Sequence, residues 1–180
     1  MIDWLDLEFP YTGTDIIGGY QMDIDEHGSI CFEKSRWKWF EGSHSSKIKI
    51  KAELGYCRIS GNPEKFLTGQ NLFGHLENED HVPRIAFKFI RSVFAAANIP
   101  CPDLLPVYND IKLHRVDINK MYRLGTNDDV NQWLKLARQY ATGRQQLTTG
   151  KGSTVYIGQH SRRKAWKFYN KFEELQKHPP

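Results

Sequence analysis

The segment Ser46-Lys-Ile-Lys-Ile-Lys-Ala-Glu53 alternates strictly between polar and apolar residues. Successive side chains lie on opposite sides of a β-strand, so this alternation predicts a strand that is buried on one face. The inner row is expected to consist of Ile48, Ile50 and Ala52. The outer row is expected to consist of Lys47, Lys49 and Lys51. Such lysines either protect an edge strand from aggregation or face DNA, and the pattern leaves both interpretations open.

Further strand patterns lie on both sides of this segment. Tyr56-Cys-Arg-Ile-Ser60 follows after a Leu54-Gly55 turn and is expected to pair with it. Ile2 to Phe9 predicts a strand that ends at Pro10, and we expect it to be a central strand. Gly28 to Glu33 predicts another short strand.

Two tryptophans and a lysine lie together in Trp37-Lys-Trp-Phe40. An aromatic and basic patch of this kind can stack nucleic-acid bases. It is also typical of a pair of core tryptophans, and the pattern favours this second interpretation.

Helical patterns occupy the middle of the chain. Asn62 can cap a short helix that begins at Pro63 and ends at Gly69. Asp80 to Asn98 is amphipathic, because its apolar residues recur at helical spacing. These residues are Ile85, Phe89, Val93 and Ala96 or Ala97.

The segment Leu113-His-Arg-Val-Asp-Ile-Asn-Lys-Met-Tyr122 predicts a strong strand. Alternation is expected to place Val116, Ile118 and His114 on one face, and Arg115, Asp117 and Asn119 on the other. Aspartate is disfavoured inside a strand, so Asp117 requires a reason. A metal ion or a buried arginine partner would supply one, and the pattern favours the arginine.

The last part of the chain predicts another helix and a pair of strands. The helix starts at Asp128 or Asp129 and runs to Tyr140. The strands, within Gly152 to His160 and Ala165 to Tyr169, are expected to be neighbours. The second strand is expected to carry Trp166 and Phe168 on one face and Lys167 and Tyr169 on the other. A final helix can follow from Phe172, so the element order indicates an α+β fold around one antiparallel sheet.

Tyr169 is a candidate nucleophile. A tyrosine oxygen can attack a phosphodiester and hold one broken end covalently, provided that cations neutralise the charge that develops on phosphorus. A free phenol has a pKa near about 10, so it needs a metal-polarised phosphate or a nearby cation. Lys171 and a metal ion held by carboxylates would supply both. The turn Gln159 to Lys164 is rich in cationic donors that could hold phosphates. Alternatively, Tyr169 is a half-buried strand aromatic and Lys171 is its solvated neighbour.

Composition limits the class of protein. A chain of 180 residues is long enough for one domain with a good core, and 13% aromatic residues argue against disorder. The formal charge of +4 permits a polyanionic partner. Three cysteines without a CxxC spacing indicate a reducing compartment, with the cytoplasm as the default, rather than a disulfide framework or a zinc site. The acidic start of the chain and the lack of a long apolar run predict a soluble, intracellular protein.

Four blocks of the chain, taken together, resemble the gene II replication proteins of filamentous bacteriophages, which are rolling-circle replication initiators, and the related Rep_trans initiators. The first block is Met1-Ile-Asp-Trp-Leu5, and the second is Ile59-Ser-Gly-Asn-Pro-Glu-Lys-Phe-Leu-Thr-Gly-Gln-Asn-Leu-Phe-Gly74. The third is Arg115-Val-Asp-Ile-Asn119. The fourth combines Gly152-Ser-Thr-Val-Tyr-Ile-Gly158, Ser161-Arg-Arg163 and Lys167-Phe-Tyr-Asn-Lys-Phe-Glu-Glu-Leu175.

The resemblance implies an HUH-like, metal-dependent endonuclease on a central five-stranded antiparallel sheet with flanking helices. Such an enzyme nicks one strand of its origin DNA, stays bound to the 5′ end through a phosphotyrosine, and later rejoins the strand. Origin DNA, single-stranded at the nick, would be the partner, with helicase and polymerase of a bacterial host, in whose cytoplasm the enzyme would act.

The resemblance also implies roles for individual residues. Tyr169 would be the nucleophile, and Lys171 would contact the phosphate or a metal-bound water. Asp117 and Glu174 would bind Mg²⁺ or Mn²⁺. The residues expected at DNA are Arg162, Arg163, Lys164, Lys47, Lys49, Lys51 and Arg115. His114, Glu53 and His160 are weaker candidates for a third metal ligand.

The chain also departs from the pattern of such enzymes. The His-hydrophobic-His pair is absent, and Asp117-Ile118-Asn119 is its nearest analogue. Phe172 stands where glycine is frequent, and the chain ends where the family usually continues, so we expect a trimmed catalytic domain or a short relative. The alternatives are a non-catalytic protein that binds an origin or a promoter, and an RNA binder that uses Trp37 and Trp39.

Overall fold

The computed structural model describes residues 1–13, 17–41, 46–53, 55–69, 81–140, 147–149, 154–158, 161 and 163–177. The chain divides into two compact units, Met1–Lys120 and Met121–Pro180. The prediction that they form a single nuclease domain stays a prediction.

The first unit contains seven strands and two α-helices among its described residues. The strands are β1 (Ile2–Pro10), β2 (Tyr20–Ile24), β3 (Ile30–Ser35), β4 (Lys38–Glu41), β5 (Lys47–Glu53), β6 (Tyr56–Gly61) and β7 (Lys112–Ile118). The helices are α1 (Pro63–Thr68) and α2 (His81–Ala96), and a short 3₁₀ helix covers Tyr108–Asp110.

Five of these strands form one antiparallel sheet in the order β4-β5-β6-β1-β7. This sheet and its helices confirm the predicted α+β fold with a central five-stranded antiparallel sheet. β1 is hydrogen-bonded to a neighbour on each side, as expected for an inner strand. Strands β2 and β3 form a separate two-stranded ribbon, and β3 begins two residues later than the predicted strand at Gly28.

The hydrophobic core lies between one face of this sheet and α2. The sheet side consists of Ile2, Leu5, Leu7, Phe9, Ile48, Ile50 and Ile59, all buried. The helix side consists of Ala86, Phe89, Ile90, Val93 and Phe94. A large apolar side chain stabilises the fold by about 1.5–3 kcal/mol when it leaves water. The inner row of β5 was therefore predicted correctly, as were Phe89 and Val93 of α2. The predicted stripe of α2 is wrong at Ala96, which is exposed.

Asn62 caps α1 as the sequence predicts. Its side-chain oxygen accepts a hydrogen bond from the Lys65 backbone N–H at 2.9 Å, and its Nδ2 donates to Asp3 at 2.8 Å. Gly69 closes the helix with φ +81°, a left-handed conformation that glycine adopts without strain. The cap ties the start of α1 to β1.

The predicted position of His114 is wrong, because β7 does not alternate regularly. The pairing of β1 with β7 shifts between Asp6 and Leu7, where Asp6 faces Arg115 and Leu7 faces Leu113. His114 is the extra residue of this bulge, and its Nε2 lies 3.1 Å from Glu8 Oε2. A bulge redirects side chains in this way, so His114 lies on the same side of the sheet as Glu8.

The second unit has its own sheet. Its elements are α3 (Asn127–Tyr140), β8 (Leu147–Thr149), β9 (Val155–Ile157), β10 (Trp166–Phe168) and α4 (Lys171–Lys177). The strands form an antiparallel sheet in the order β10-β9-β8. Trp166 pairs with Ile157 and Phe168 pairs with Val155, so the two terminal strands are neighbours as predicted. They do not belong to the five-stranded sheet.

Candidate functional site

The five-stranded sheet has a polar face on the side opposite to its core. The register of the strands places on it the side chains of Trp39, Glu41, Lys47, Lys49, Lys51, Tyr56, Arg58, Ser60, Trp4, Asp6, Glu8, Lys112, Arg115 and Asp117. All DNA-contact residues predicted in the first unit lie here, and so does Asp117. We call this set, together with Trp37, the polar face.

The lysine row lies in the interior of the sheet. β5 has β4 on one side and β6 on the other, so it is not an edge strand, and the interpretation of Lys47, Lys49 and Lys51 as edge protection is wrong. Lys47 and Glu41 form an exposed ion pair at 3.8 Å, which stabilises little in water. A cationic row in mid-sheet therefore requires another explanation.

Two tryptophans accompany the lysine row. The Nζ atom of Lys49 lies 4.5 Å from the ring centre of Trp37 and 5.8 Å from that of Trp39, and Lys51 Nζ lies 5.5 Å from the Trp37 ring. Trp39 is 58% exposed, so the prediction of a core tryptophan is wrong for this residue. It pairs across β4 and β5 with Lys49, which places both side chains on the polar face.

Arg58 and Asp6 form a two-pronged ion pair in the middle of the polar face. Arg58 Nε and Nη2 each donate to an Asp6 oxygen at 2.8 Å. The hydrogen bond to Asp6 raises the pKa of the Arg58 guanidinium, although burial opposes this shift. The Arg58 guanidinium also lies 6.0 Å from the Trp37 ring centre, so three cationic side chains surround this one ring.

Asp117 has an arginine partner, as one of the two interpretations of this residue predicts. Arg115 Nε donates to Asp117 Oδ1 at 2.8 Å, and Arg115 Nη2 contacts Oδ2. This bond raises the pKa of the Arg115 guanidinium. The pair is exposed rather than buried, with 39% of the Asp117 side chain accessible. Its carboxylate is therefore reachable from solvent, and its role as a metal ligand stays a prediction.

Tyr169, in the second unit, is half-buried directly after β10. The ammonium of Lys167 lies 4.6 Å from the Tyr169 ring centre, and that of Lys171 lies 5.9 Å from it. Lys167 also lies 6.0 Å from the ring of Tyr156, its partner across β9. Lys167 is absent from the predicted site residues, although its spacing of two from Tyr169 on one strand face already pointed to it.

Lys171 and Glu174 pair within α4. Lys171 Nζ donates to Glu174 Oε2 at 2.5 Å, one helical turn along. The Glu174 side chain is 37% exposed, so it is also reachable from solvent. The structure thus brings Tyr169, Lys171 and Glu174 into one short segment of the second unit.

Asn170 anchors this segment, and the sequence analysis missed it. It is only 3% exposed, and its side-chain oxygen accepts from the backbone N–H groups of Phe172 and Glu173, which caps α4. Its Nδ2 donates to Asn127 and Asn131 of α3 at 2.5 and 3.2 Å. The residue after Tyr169 is thereby tied to two helices. A polar residue next to a nucleophile was the available signal.

The predicted phosphate-binding turn is described in part. Arg163 and Lys164 are exposed, and their backbone N–H groups each donate to Ser161 Oγ at 3.2 Å. Lys164 Nζ lies 4.4 Å from the Trp166 ring centre. Arg162 and His160 lie outside the described residues, as does the side chain of Glu53.

The donors proposed for Mg²⁺ or Mn²⁺ have suitable chemistry, since both ions prefer carboxylate oxygens and water. Asp117 and Glu174 are accessible carboxylates, and each already binds one cationic side chain. Within the described part of the chain, no group of three or more His, Cys, Asp and Glu side chains is arranged to hold a metal ion. Any such ion would take its remaining ligands from water or substrate.

Comparison with known proteins identifies the family. The family model for the N-terminal region of the phage replication-associated protein of the gene II type matches residues 1–179. The chain belongs to this family. The replication-associated protein of Enterobacteria phage I2-2 is 30% identical over 188 residues, an alignment that covers 97% of this chain. The chain spans 53% of the length of that phage relative. No solved structure matches the chain.

Membership of this family confirms the predicted resemblance to gene II-type replication initiators. It indicates that the chain is a phage replication-associated protein. None of the helices in the described ranges is both long and apolar enough to cross a membrane.

Proposed function

We propose that this protein initiates rolling-circle replication by nicking and rejoining one strand of origin DNA, with Tyr169 as the nucleophile. The observation that carries the proposal is the position of two ammonium groups, those of Lys167 and Lys171, beside the Tyr169 ring. Membership of a replication-associated family supports it. A tyrosine with two cationic neighbours is suited to attack on an anionic phosphodiester.

In the proposed reaction, Tyr169 Oη forms a bond to phosphorus while the bond from phosphorus to the 3′ oxygen breaks. The phenol loses its proton to solvent, and the departing 3′ oxygen gains one. The product is a 5′-phosphotyrosine and a 3′ hydroxyl. One phosphoester bond replaces another, so the free energy of the broken bond is retained. A 3′ hydroxyl can therefore attack the phosphotyrosine later and restore a continuous strand.

The chain's own residues hold the reacting groups. Lys167 and Lys171 neutralise charge on the phosphoryl oxygens, and Glu174 holds the Lys171 ammonium in place. Asn170 keeps the backbone after the nucleophile in one conformation. We assign Mg²⁺ or Mn²⁺ binding to the carboxylates of Asp117 and Glu174, and a bound ion would polarise the scissile phosphate.

Origin DNA is held by the cationic residues outside the tyrosine segment. We assign phosphate contacts to Lys47, Lys49, Lys51 and Arg115 on the polar face, and to Arg162, Arg163 and Lys164 in the second unit. The free 3′ hydroxyl serves a polymerase, and a helicase separates the strands, both supplied by a bacterial host in whose cytoplasm the protein acts.

A second candidate is a non-catalytic protein that binds an origin or a promoter. It is favoured by the polar face, because the lysine row can contact phosphates without a metal ion. Salt dependence of binding is expected for both candidates. Only the first candidate cleaves DNA, so a cleavage assay distinguishes the two.

The test uses purified protein, Mn²⁺ or Mg²⁺, and overlapping single-stranded oligonucleotides that cover the replicon encoding the chain. We expect one oligonucleotide to be cut and its 5′-phosphate fragment to stay attached to the protein on a denaturing gel. Chelation of the metal and Tyr169→Phe should each abolish the adduct. Tyr156→Phe is the matched control, because Tyr156 also lies near Lys167, and it should cleave normally. Unchanged cleavage by Tyr169→Phe would refute the proposal.

A further inference from the structure

We propose that one half of the polar face is a stacking platform for unpaired bases of DNA, with Trp39 as its principal stacking residue. This half, which we call the platform, consists of Trp37, Trp39, Lys47, Lys49, Lys51 and Arg58. The inference rests on the proposed function and deepens it, because it specifies which form of DNA the face binds and by which aromatic residue.

Exposure of Trp39 is the first argument. Trp39 is 58% exposed, so much of its side chain is accessible to a ligand. The core does not take up this ring, because the alternate residue Phe40 packs there instead. Trp39 therefore presents its ring outward from β4.

The arrangement of charge is the second argument. Among the described side chains of β4 and β5 on this face, three lysines accompany one carboxylate, that of Glu41. The nearest of these cations to the two indoles is Lys49, at 4.5 Å from Trp37 and 5.8 Å from Trp39. Aromatic rings interleaved with cations are the combination that binds a single strand, because bases stack on the rings while phosphates contact the cations.

Trp37 has a different part in the platform from Trp39. Lys49, Lys51 and Arg58 all lie within 6.0 Å of its ring centre, so this indole orients the cations. Arg58 is in turn held by Asp6. We therefore assign base stacking to Trp39 and orientation of the phosphate-binding side chains to Trp37.

Stacking on an exposed ring requires an unpaired base, because the flat surfaces of bases inside a duplex are covered by their neighbours. The platform should therefore prefer a single strand to a duplex. DNA rather than RNA is the expected ligand, because the family is replication-associated.

The test measures binding without cleavage. All variants carry Tyr169→Phe and are studied with chelator, so that loss of catalysis cannot affect the result. Fluorescence anisotropy gives the affinity for a labelled dT₂₀ oligonucleotide, for a 20-base-pair duplex, and for rU₂₀. We expect Trp39→Ala to weaken single-strand binding by on the order of tenfold, the loss typical of one stacked base, and to leave duplex binding unchanged.

Two further variants make the result specific. Trp39→Phe should retain most of the affinity while losing part of the tryptophan quenching that accompanies binding. Phe32→Ala removes an aromatic ring of similar exposure from the β2–β3 ribbon, and it should bind as the parent does. Circular dichroism should show the same fold for all variants.

If Trp39→Ala lost affinity equally for single strand and duplex, or lost none for the single strand, the proposed platform would be overturned. Equal or tighter binding of rU₂₀ with the same dependence on Trp39 would overturn the assignment to DNA. Cleavage of origin DNA by protein with intact Tyr169 is measured separately, so the proposed nicking activity can be refuted while the platform is upheld.

Discussion

The ammonium of Lys167, on β10, lies 4.6 Å from the centre of the Tyr169 ring, which directly follows that strand. Residues two apart in an extended segment point to the same side, and Tyr169 is the first residue after β10. Tyr156 on β9 flanks the same ammonium from across the sheet. A cation that two strands place beside a proposed nucleophile leads to the first prediction.

Lys167→Gln should slow the first turnover of DNA cleavage by about 100-fold, because removal of one group that stabilises transition-state charge has effects of this size. Lys167→Arg, which keeps the cation, should recover part of the rate. Single-turnover cleavage by quenched flow is the measurement. Lys177→Gln, at the end of α4, is the control and should cleave normally. A Lys167→Gln protein with the parent's rate would exclude Lys167 from the reaction.

Asn170→Ala should lower the free energy of unfolding by about 2 kcal/mol, because it removes the cap of α4 and leaves acceptors on Asn127 and Asn131 without their donor. Asn170→Ser keeps a capping oxygen without burying a charge, and it should cost less. Urea unfolding followed by circular dichroism measures both.

The same variants test whether Asn170 positions Tyr169. If it does, Asn170→Ser should cleave more slowly than the parent at saturating DNA while its affinity for DNA is unchanged. Gln176→Ala, on the exposed side of α4, serves as the control. Parent-like cleavage by Asn170→Ser would leave Asn170 with a purely structural role.

Asp117→Asn should abolish metal-dependent cleavage without unfolding the protein. The Arg115–Asp117 pair is exposed, so its loss should cost no more than about 1 kcal/mol of stability. Isothermal titration with Mn²⁺ should show weaker binding by the variant. Asp23→Asn, an exposed change on β2, should alter neither property. Retained Mn²⁺ binding and cleavage in Asp117→Asn would show that arginine pairing is the whole role of Asp117.

Stability should fall at alkaline pH because of Cys57. Burial raises the pKa of the Cys57 thiol to about 12, above its value in the unfolded chain. The contribution of the protonated Cys57 thiol to the free energy of unfolding is therefore fully present below about pH 8.5. It is lost as pH rises toward 12, since this thiol ionises at lower pH in the unfolded chain than in the folded one.

Urea unfolding in the presence of reductant tests this expectation. Between about pH 8.5 and about pH 10 the parent should lose about 2 kcal/mol more than Cys57→Ala, in which the thiol is missing. In the native state, Cys31 and Cys101 are exposed and should react with a thiol reagent, whereas Cys57 should react only after unfolding. Equal pH slopes for the parent and Cys57→Ala would contradict the shift.

Local patterns were enough to predict much of the fold. The alternation of Ser46 to Glu53 determines which side chains of β5 face the core, because period-two geometry is a property of the strand itself. Asn62 specifies the start of α1 through its own side chain, and the apolar spacing in α2 identifies the buried Phe89 and Val93. The order and content of four sequence blocks were enough to identify the family.

Only the tertiary structure decided what depends on distant partners. The position of β5 between β4 and β6 excludes edge protection as the role of its lysines. Strand order arises from hydrogen bonds between segments far apart in sequence. The bulge at His114 depends on the pairing of β7 with β1. The exposure of Trp39 depends on its neighbour Phe40, which packs against the core instead. Asn170 gains its role from Asn127 and Asn131, which lie 43 and 39 residues earlier in the chain. Sequence periodicity reports the face of an element, whereas the neighbours of that face are set by packing of the whole chain.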